Sequence, residues 1–162
     1  MTDSLSSINA EGVYEPFPVE RVPWEEFERG KLGSRFRVLS RFGGGGHVGV
    51  AYEELPPGKQ SNLLHYHLLE EEHVFILEGE LTVRLGDRAY PMKPGDYVCF
   101  PAGQKVGHCL VNHTDRPCRY ILIGENNPHD VAVFPETGRV SLRLTGEGYR
   151  KSAVMDYWEG TD

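Results

Sequence analysis

The stretch LHYHLLEEEHVFIL, residues 64–77, contains two histidines two positions apart in surroundings that favour a β-strand. Side chains on a strand alternate between its faces, so His65 and His67 point the same way, with Cα atoms about 6.5 Å apart. Two imidazoles at this spacing can bind one metal ion at about 2.0–2.1 Å. An acidic turn and a second strand, 72–77, follow, and Glu72 adds a carboxylate if it projects to the same side. The stretch therefore predicts part of a metal site, formed by His65, His67 and Glu72.

The bulk composition is that of a single globular domain. The chain has 162 residues, enough for one domain with its own core. A net charge of -7 disfavours nucleic acid and anionic membranes as partners. No apolar run is long enough to span a membrane, and the N-terminus has no signal-peptide pattern. The three cysteines form no CxxC motif, which favours free thiols in a reducing compartment. We therefore expect a cytoplasmic protein.

The central part of the chain has the pattern of an all-β domain. Short apolar segments alternate with turn signals, and none has a helical period of 3.6 residues. This pattern predicts a sandwich or barrel. The predicted strands are 35–42, 47–55, one through His65 and His67, 72–77, 81–85, 88–92, 97–100, 108–111, 118–123, 131–134 and 140–144. We expect an N-terminal arm at 1–34, a barrel at 35–145 and a C-terminal tail at 146–162.

The two ends of the chain are less regular. Residues 23–30, which begin with Pro23 and end with Gly30, predict one or two turns of helix that would dock through Trp24 and Phe27. The arm can pack on its own domain or be exchanged across a dimer. In the tail, four apolar residues are predicted to cap an open end of the barrel: Val154, Met155, Tyr157 and Trp158. The glycine run 43–46 indicates a hairpin turn, because neither GK[ST] nor a helix follows it.

A fourth metal ligand is available later in the sequence. A barrel brings distant strands onto one inner surface, so His108 can complete a site with His65, His67 and Glu72. Glu71 is a competing candidate for the carboxylate, and Glu70 and Glu71 together are interpreted as a solvated turn. His73 is predicted to face away from Glu72.

Two motifs in residues 40–125 resemble those of the cupin superfamily. The first consists of His65, His67, Glu72 and Gly79, and the second of Gly95, Pro101, Gly103, His108 and Asn112. Extra residues before His65 and before His108 fall in loops, where they cost little. Glu72, rather than Glu71, keeps the motif's spacing to Gly79.

The resemblance implies a double-stranded β-helix, or jelly-roll, that is often a homodimer. It also implies one divalent ion (Zn, Ni, Mn or Fe) bound by His65, His67, Glu72 and His108. The extended ends and the segment 156–160 resemble a group of small single-domain bacterial cupins that is loosely called sugar-phosphate isomerase-like.

Three functions remain open at this stage. The first is isomerisation of a small polar molecule, sugar-like or an organic acid; the second is a metal-dependent dioxygenase; the third is a non-catalytic module that binds a small ligand. A transcription regulator is disfavoured because no helix-turn-helix segment accompanies the barrel. Four cationic residues are candidates for holding a sugar phosphate: Arg84, Arg88, Lys105 and Arg119. A cavity without cationic side chains would argue against a phosphorylated substrate. No catalytic residue is assigned.

Overall fold

Short antiparallel strands make up most of the protein. The computed structural model describes residues 6–160. The strands are β1 Glu25–Arg29, β2 Leu32–Val38, β3 Val48–Leu55, β4 Tyr66–His67, β5 Glu72–Glu78, β6 Leu81–Leu85, β7 Arg88–Met92, β8 Tyr97–Phe100, β9 His108–Val111, β10 Cys118–Glu125, β11 Val131–Phe134, β12 Arg139–Leu142 and β13 Glu147–Arg150. Within the described residues, helical structure is limited to single turns at Val19–Arg21, Leu39–Phe42 and Lys151–Ala153. None of these turns could cross a membrane.

The strands form three sheets, and the core lies between two of them. The six-stranded sheet has the order β1-β2-β3-β10-β5-β8, the four-stranded sheet β13-β12-β11-β4 and the three-stranded sheet β7-β6-β9. An antiparallel bridge between His65 and His108 connects the last two sheets. Buried side chains of the six-stranded and three-stranded sheets pack together: Leu55, Val74, Ile76, Leu81, Val83, Met92, Phe100, Leu110, Cys118 and Tyr120. The structure confirms the predicted all-β architecture with antiparallel sheets.

Two local predictions in the N-terminal part are wrong. Residues 25–29, expected in a helix, form strand β1, which pairs with β2 through a tight turn. Gly30 occupies this turn with φ 59°, a value that a two-residue hairpin loop requires and that glycine adopts without strain. The glycine therefore closes a hairpin rather than ending a helix. The strand expected at 35–42 ends at Val38, where a helical turn leads into the glycine run.

The ends of the chain also differ from expectation. Trp24, which precedes β1, packs against Tyr52 of β3 at a ring-centroid distance of 5.9 Å. Strand β13, in the tail, extends the four-stranded sheet by pairing with β12. The prediction that the tail caps the barrel is wrong, because its four apolar side chains are 64–85% exposed: Val154, Met155, Tyr157 and Trp158. The division into arm, barrel and tail stays a prediction.

Candidate metal centre

Three histidines converge because an antiparallel backbone pairing between His65 and His108 brings their segments together. His65 and His108 exchange backbone hydrogen bonds of 3.2 and 2.7 Å, which aligns the start of β4 with β9. The His65 and His108 ring centroids lie 4.6 Å apart. His67 is two residues beyond His65, and its ring centroid lies 5.0 Å from that of His65. The alternation argument from the sequence therefore placed the two imidazoles correctly on one side of the strand.

Glu72, the first residue of β5, faces all three imidazoles. Its Oε2 accepts a hydrogen bond from His108 Nε2 at 2.8 Å. The same oxygen lies 3.6 Å from His67 Nε2 and 4.0 Å from His65 Nε2. Glu71, the alternative carboxylate in the sequence, lies elsewhere, with its Oε1 3.1 Å from His73 Nε2. The structure thus brings together the four residues singled out in the sequence, with each Nε2 directed at one carboxylate oxygen.

Two hydrogen bonds to Nδ1 atoms and one ring stack fix the orientation of the three imidazoles. His65 Nδ1 donates to the Leu63 carbonyl at 2.8 Å. His67 Nδ1 donates to Asp130 Oδ2 at 2.5 Å. The His108 ring stacks on Phe100 with centroids 3.8 Å apart and an angle of 3° between the planes. In His65 and His67 the proton on Nδ1 leaves the Nε2 lone pair available to a metal ion, which is the arrangement found at histidine-ligated metal sites.

Asp130 is a supporting residue that the sequence analysis missed. Besides His67, its carboxylate accepts the backbone N–H groups of Leu69 at 3.0 Å and Glu70 at 3.3 Å. Burial alone would raise the pKa of Asp130, but these hydrogen bonds and the interaction with His67 outweigh it and lower the pKa. The carboxylate is therefore ionised and firmly positioned. Its only sequence signal is its place just before strand β11, which does not reveal that it reaches His67.

Glu70 also differs from its predicted role. It was expected in a solvated turn, but it is only 2% exposed. Its carboxylate accepts the Asn127 backbone N–H at 2.7 Å and a hydrogen bond from Arg143 at 2.5 Å. The buried carboxylate therefore ties the β4–β5 turn to the segments that carry Asn127 and Arg143, and so supports the strand ends that hold His67 and Glu72.

The electrostatics of the centre suit metal ligands. Burial, reinforced by repulsion from His108, lowers the pKa of His65 to about 4, so its imidazole is neutral at pH 7. Burial acts to raise the pKa of Glu72, but the hydrogen bond from His108 and the three nearby imidazoles more than offset this and lower it. The carboxylate is therefore ionised. A neutral imidazole and an ionised carboxylate are the forms that bind a cation.

The donor atoms of His65, His67 and Glu72 are spaced to fit one ion, and His108 joins this group through its contact with Glu72. One potential ligand atom from each of His65, His67 and Glu72 lies within 4.8 Å of the others. Two ligands about 2.1 Å from a common ion are separated by about 3 to 4 Å. The distances from Glu72 Oε2 to the three Nε2 atoms, 2.8, 3.6 and 4.0 Å, fall close to this range. Imidazole and carboxylate donors suit Zn, Ni, Mn and Fe alike, so the geometry leaves the identity of the ion open.

A cavity of about 220 Å³ lies beside the centre, and a second, half-buried carboxyl group lines it. Its wall includes His65, Glu72 and His108 together with Glu53. Tyr120 donates a hydrogen bond to Glu53 Oε2 at 2.8 Å, and Ser34 donates to the same oxygen at 3.1 Å. Burial raises the pKa of Glu53, and it outweighs the lowering effect of these two hydrogen bonds. The sequence offered no motif that distinguished Glu53 from its neighbours.

The described residues of the cavity wall include no cationic side chain of lysine or arginine. Among the described residues that line it there is neither lysine nor arginine, while Glu53 and Glu72 contribute two carboxyl groups. Of the cationic candidates from the sequence, Arg84 pairs with Glu136, and Arg119 pairs with Glu54 and Glu78. A smaller depression of about 150 Å³ on the other side of Glu72 contains Arg143, whose guanidinium is already bonded to Glu70.

Comparison with known proteins identifies relatives of similar shape. Residues 51–124 match the family model described as a cupin domain. A structure provisionally named a sugar phosphate isomerase, from Acidithiobacillus ferrooxidans, has a TM-score of 0.79 at 25% identity and covers 92% of this chain and 94% of its own. One named a sugar phosphate isomerase from a cupin superfamily, from Silicibacter pomeroyi, has a TM-score of 0.76 at 28% identity and covers 88% and 98%.

More distant structures share the architecture alone. A protein from Thermotoga maritima named a predicted oxalate decarboxylase has a TM-score of 0.60 at 22% identity, covering 68% of this chain and 98% of its own. No curated protein matches the sequence significantly.

Proposed function

Because residues 51–124 form a cupin domain, we propose that the protein is a metal-dependent isomerase of a small, uncharged, sugar-like carbonyl compound. The observation that carries the proposal is the placement of the half-buried carboxyl group of Glu53 in the same cavity wall as the candidate metal ligands. A centre built only to bind a ligand has no need of a second carboxyl group whose pKa is raised. General acid–base catalysis uses such a group.

The metal ligands in this proposal are His65, His67, Glu72 and His108. An ion bound between them would replace the hydrogen bond from His108 to Glu72. A divalent ion of this kind supplies Lewis acidity toward a carbonyl or hydroxyl oxygen. Asp130 keeps His67 in the tautomer that presents Nε2 to the centre. The second depression, beyond Glu72, leaves room for solvent next to the same centre.

Glu53 would move the proton between neighbouring carbon atoms of the substrate. Its Oε2 is occupied by Tyr120 and Ser34, which leaves Oε1 for a molecule in the cavity. In its ionised form Glu53 takes the proton from the carbon next to the carbonyl group and returns it to the former carbonyl carbon. A hydroxyl proton moves to the former carbonyl oxygen, so an aldose and a ketose interconvert with no net gain or loss of atoms. A carboxyl group whose pKa is raised by burial suits a role in which it both takes and gives a proton.

The charge and size of the cavity favour an uncharged substrate. The described wall has no lysine or arginine to pair with a phosphate or a carboxylate, and its two carboxyl groups would offset the charge of a bound divalent ion, so an anionic substrate gains little here. A cavity of about 150 Å³ can hold benzene, so one of about 220 Å³ admits a molecule of somewhat more atoms. A phosphorylated sugar would have to place its phosphate outside this cavity. The two relatives named as sugar phosphate isomerases support the reaction type.

The test is an isotope-exchange assay. Metal-loaded protein is incubated in D₂O with a panel of aldoses, ketoses and their phosphate esters, and the sugars are followed by proton NMR. We expect interconversion of an unphosphorylated pair with deuterium incorporated at the exchanging carbon. Glu53→Gln should abolish the exchange while metal content stays unchanged. Glu78→Gln, which removes an exposed carboxylate outside the cavity wall, is the matched control and should keep full activity.

Two results would contradict the proposal. No exchange with any sugar of the panel would rule out the reaction, and oxygen consumption by the iron-loaded protein would then point to a dioxygenase. Deuterium exchange that persists in the Glu53→Gln variant would show that another group transfers the proton.

A further inference from the structure

We propose that Glu71, His73 and Cys99 form a second metal-binding site, separate from the interior centre, that takes a borderline-soft divalent ion such as Zn²⁺. One potential ligand atom from each of these residues lies within 4.8 Å of the others. The set contains an imidazole, a thiol and a carboxylate, which are the three donor types that zinc binds in proteins.

Strand pairing explains why the three side chains meet. His73 of β5 and Cys99 of β8 are directly opposite each other in an antiparallel ladder, so their side chains are neighbours on one face of the sheet. Glu71 precedes His73 by two positions and lies on the same side, with its Oε1 3.1 Å from His73 Nε2. Glu72, between them, points to the interior centre. The alternation that builds one site therefore places a second set of ligands on the opposite face.

The imidazole of His73 is already oriented for metal binding. Its Nδ1 is hydrogen-bonded to the hydroxyl of Tyr97 at 2.7 Å. The two rings also stack, with centroids 6.0 Å apart and 22° between their planes. This leaves Nε2 directed at the carboxylate of Glu71. The arrangement parallels that of His67, where Asp130 holds Nδ1 and Nε2 faces the interior carboxylate.

The position of the cluster allows an ion to enter from solvent. β8 is an edge strand of the six-stranded sheet, and the side chains of His73 and Glu71 are 29% and 45% exposed. The Cys99 thiol is partly buried next to them. Three protein ligands would leave a fourth position of a tetrahedral ion for water.

The thiol distinguishes this site chemically from the interior one. Thiolate ligands favour zinc and cobalt over manganese or magnesium, whereas the interior donors are nitrogen and oxygen. A bound carboxylate and thiolate would together balance the charge of a divalent ion. We expect this site to bind a narrower range of metal ions than the interior centre does.

Cobalt spectroscopy tests the proposal without knowledge of any substrate. Co²⁺ bound to a thiolate gives a charge-transfer absorption band in the near ultraviolet, which nitrogen and oxygen ligands do not give. Metal-free protein titrated with Co²⁺ should develop this band, and it should be lost in Cys99→Ser. His73→Ala should weaken Co²⁺ binding at this site at least tenfold, because it removes one of three protein ligands.

Two control variants separate the outer site from the interior. Cys109→Ser removes the thiol that lines the interior cavity, and His67→Ala disrupts the interior centre; both should keep the band. Circular dichroism of each variant checks that the barrel is intact. A wild-type titration without the band would overturn the proposal. So would a band that persists in Cys99→Ser or disappears in Cys109→Ser.

Discussion

The carboxylate of Asp130 lies 2.5 Å from Nδ1 of His67, although the two residues are 63 positions apart in the chain. Ala132, two residues beyond Asp130, pairs with His67 across β11 and β4. The same carboxylate accepts two backbone N–H groups from the β4–β5 turn. One residue therefore fixes both the imidazole of His67 and the turn that leads to Glu72.

Asp130→Asn should weaken metal binding at the interior centre by about 10- to 100-fold, with little change in fold. The amide is nearly the same size, but it removes the charge that holds the Nδ1 proton of His67 and makes Nε2 a better donor. Competition with a chelator of known affinity measures the change.

Asp96→Asn is the matched control for this experiment. Its carboxylate accepts the Lys93 backbone N–H in an exposed turn, so the same change of charge is made away from the centre. We expect wild-type affinity for this variant. If Asp130→Asn also bound metal as tightly as the wild type, Asp130 would have no part in positioning His67.

Gly79→Ala should destabilise the protein more than Gly95→Ala. Both glycines have positive φ, 75° and 92°, which costs an alanine about 1–2 kcal/mol. A Cβ at Gly79 would in addition lie 2.5 Å from the Pro117 carbonyl oxygen, whereas one at Gly95 would have no atom within 4 Å. We expect a further cost of at least about 1 kcal/mol for Gly79→Ala in urea unfolding. Equal losses for the two variants would mean that the backbone at Pro117 moves aside freely.

Residues close together in the sequence were predicted well, because strand geometry relates them directly. The period of two placed His65 and His67 on one face and His73 opposite Glu72. His108 became a candidate because a barrel brings distant strands onto one inner surface, and the likeness to cupins supported it. The all-β fold followed from short segments separated by turn signals.

Residues brought together only by the fold were missed. Asp130 and Glu53 carry no local signal, because their roles arise from pairing with His67 and Tyr120 across distant strands. Glu70 looked like part of a solvated turn, because nothing near it in the sequence indicates the hydrogen bond from Arg143. The helix predicted at 23–30 was wrong because Gly30 also suits a hairpin, and pairing with β2 decides between the two.

Glu54→Gln should lower the free energy of unfolding by about 1–3 kcal/mol. The side chain of Glu54 is only 9% exposed and binds two guanidinium groups, those of Arg35 at 2.9 Å and Arg119 at 3.0 Å. Removing the charge leaves both arginines with weaker partners. Urea unfolding measures the loss, which should shrink with added salt because both arginines are partly exposed.

Glu26→Gln provides the comparison for this ion-pair network. Glu26 also pairs with Arg35, at 3.6 Å, but its side chain is 75% exposed. We expect a change within about 0.5 kcal/mol. A loss as large as that of Glu54→Gln would show that burial does not determine the strength of these ion pairs.

Glu53→Gln should gain stability relative to the wild type as the pH rises. Burial raises the pKa of Glu53 above 4.5 in the folded protein, against the opposing hydrogen bonds from Tyr120 and Ser34. Above pH 4.5 the unfolded chain therefore releases this proton before the folded protein does, and wild-type stability falls as the pH rises through the folded pKa. Glutamine does not titrate. The difference in melting temperature between variant and wild type should grow from pH 4.5 to pH 8.

A flat difference over this range would be incompatible with a raised pKa for Glu53. It would also weaken the argument that this residue transfers a proton in the cavity, independently of any activity assay.

The central claim, that His65, His67, Glu72 and His108 together bind one divalent ion, is tested most directly by elemental analysis in a Cys99→Ser background, where the proposed outer site is absent. The protein is purified without added metal, and its metal content is compared with that of the same protein carrying His67→Ala. We predict one equivalent of a transition metal per chain, lost on replacing His67 while circular dichroism stays unchanged. Metal content that is the same with and without His67, or a parent protein that binds no metal even when it is supplied, would contradict the account.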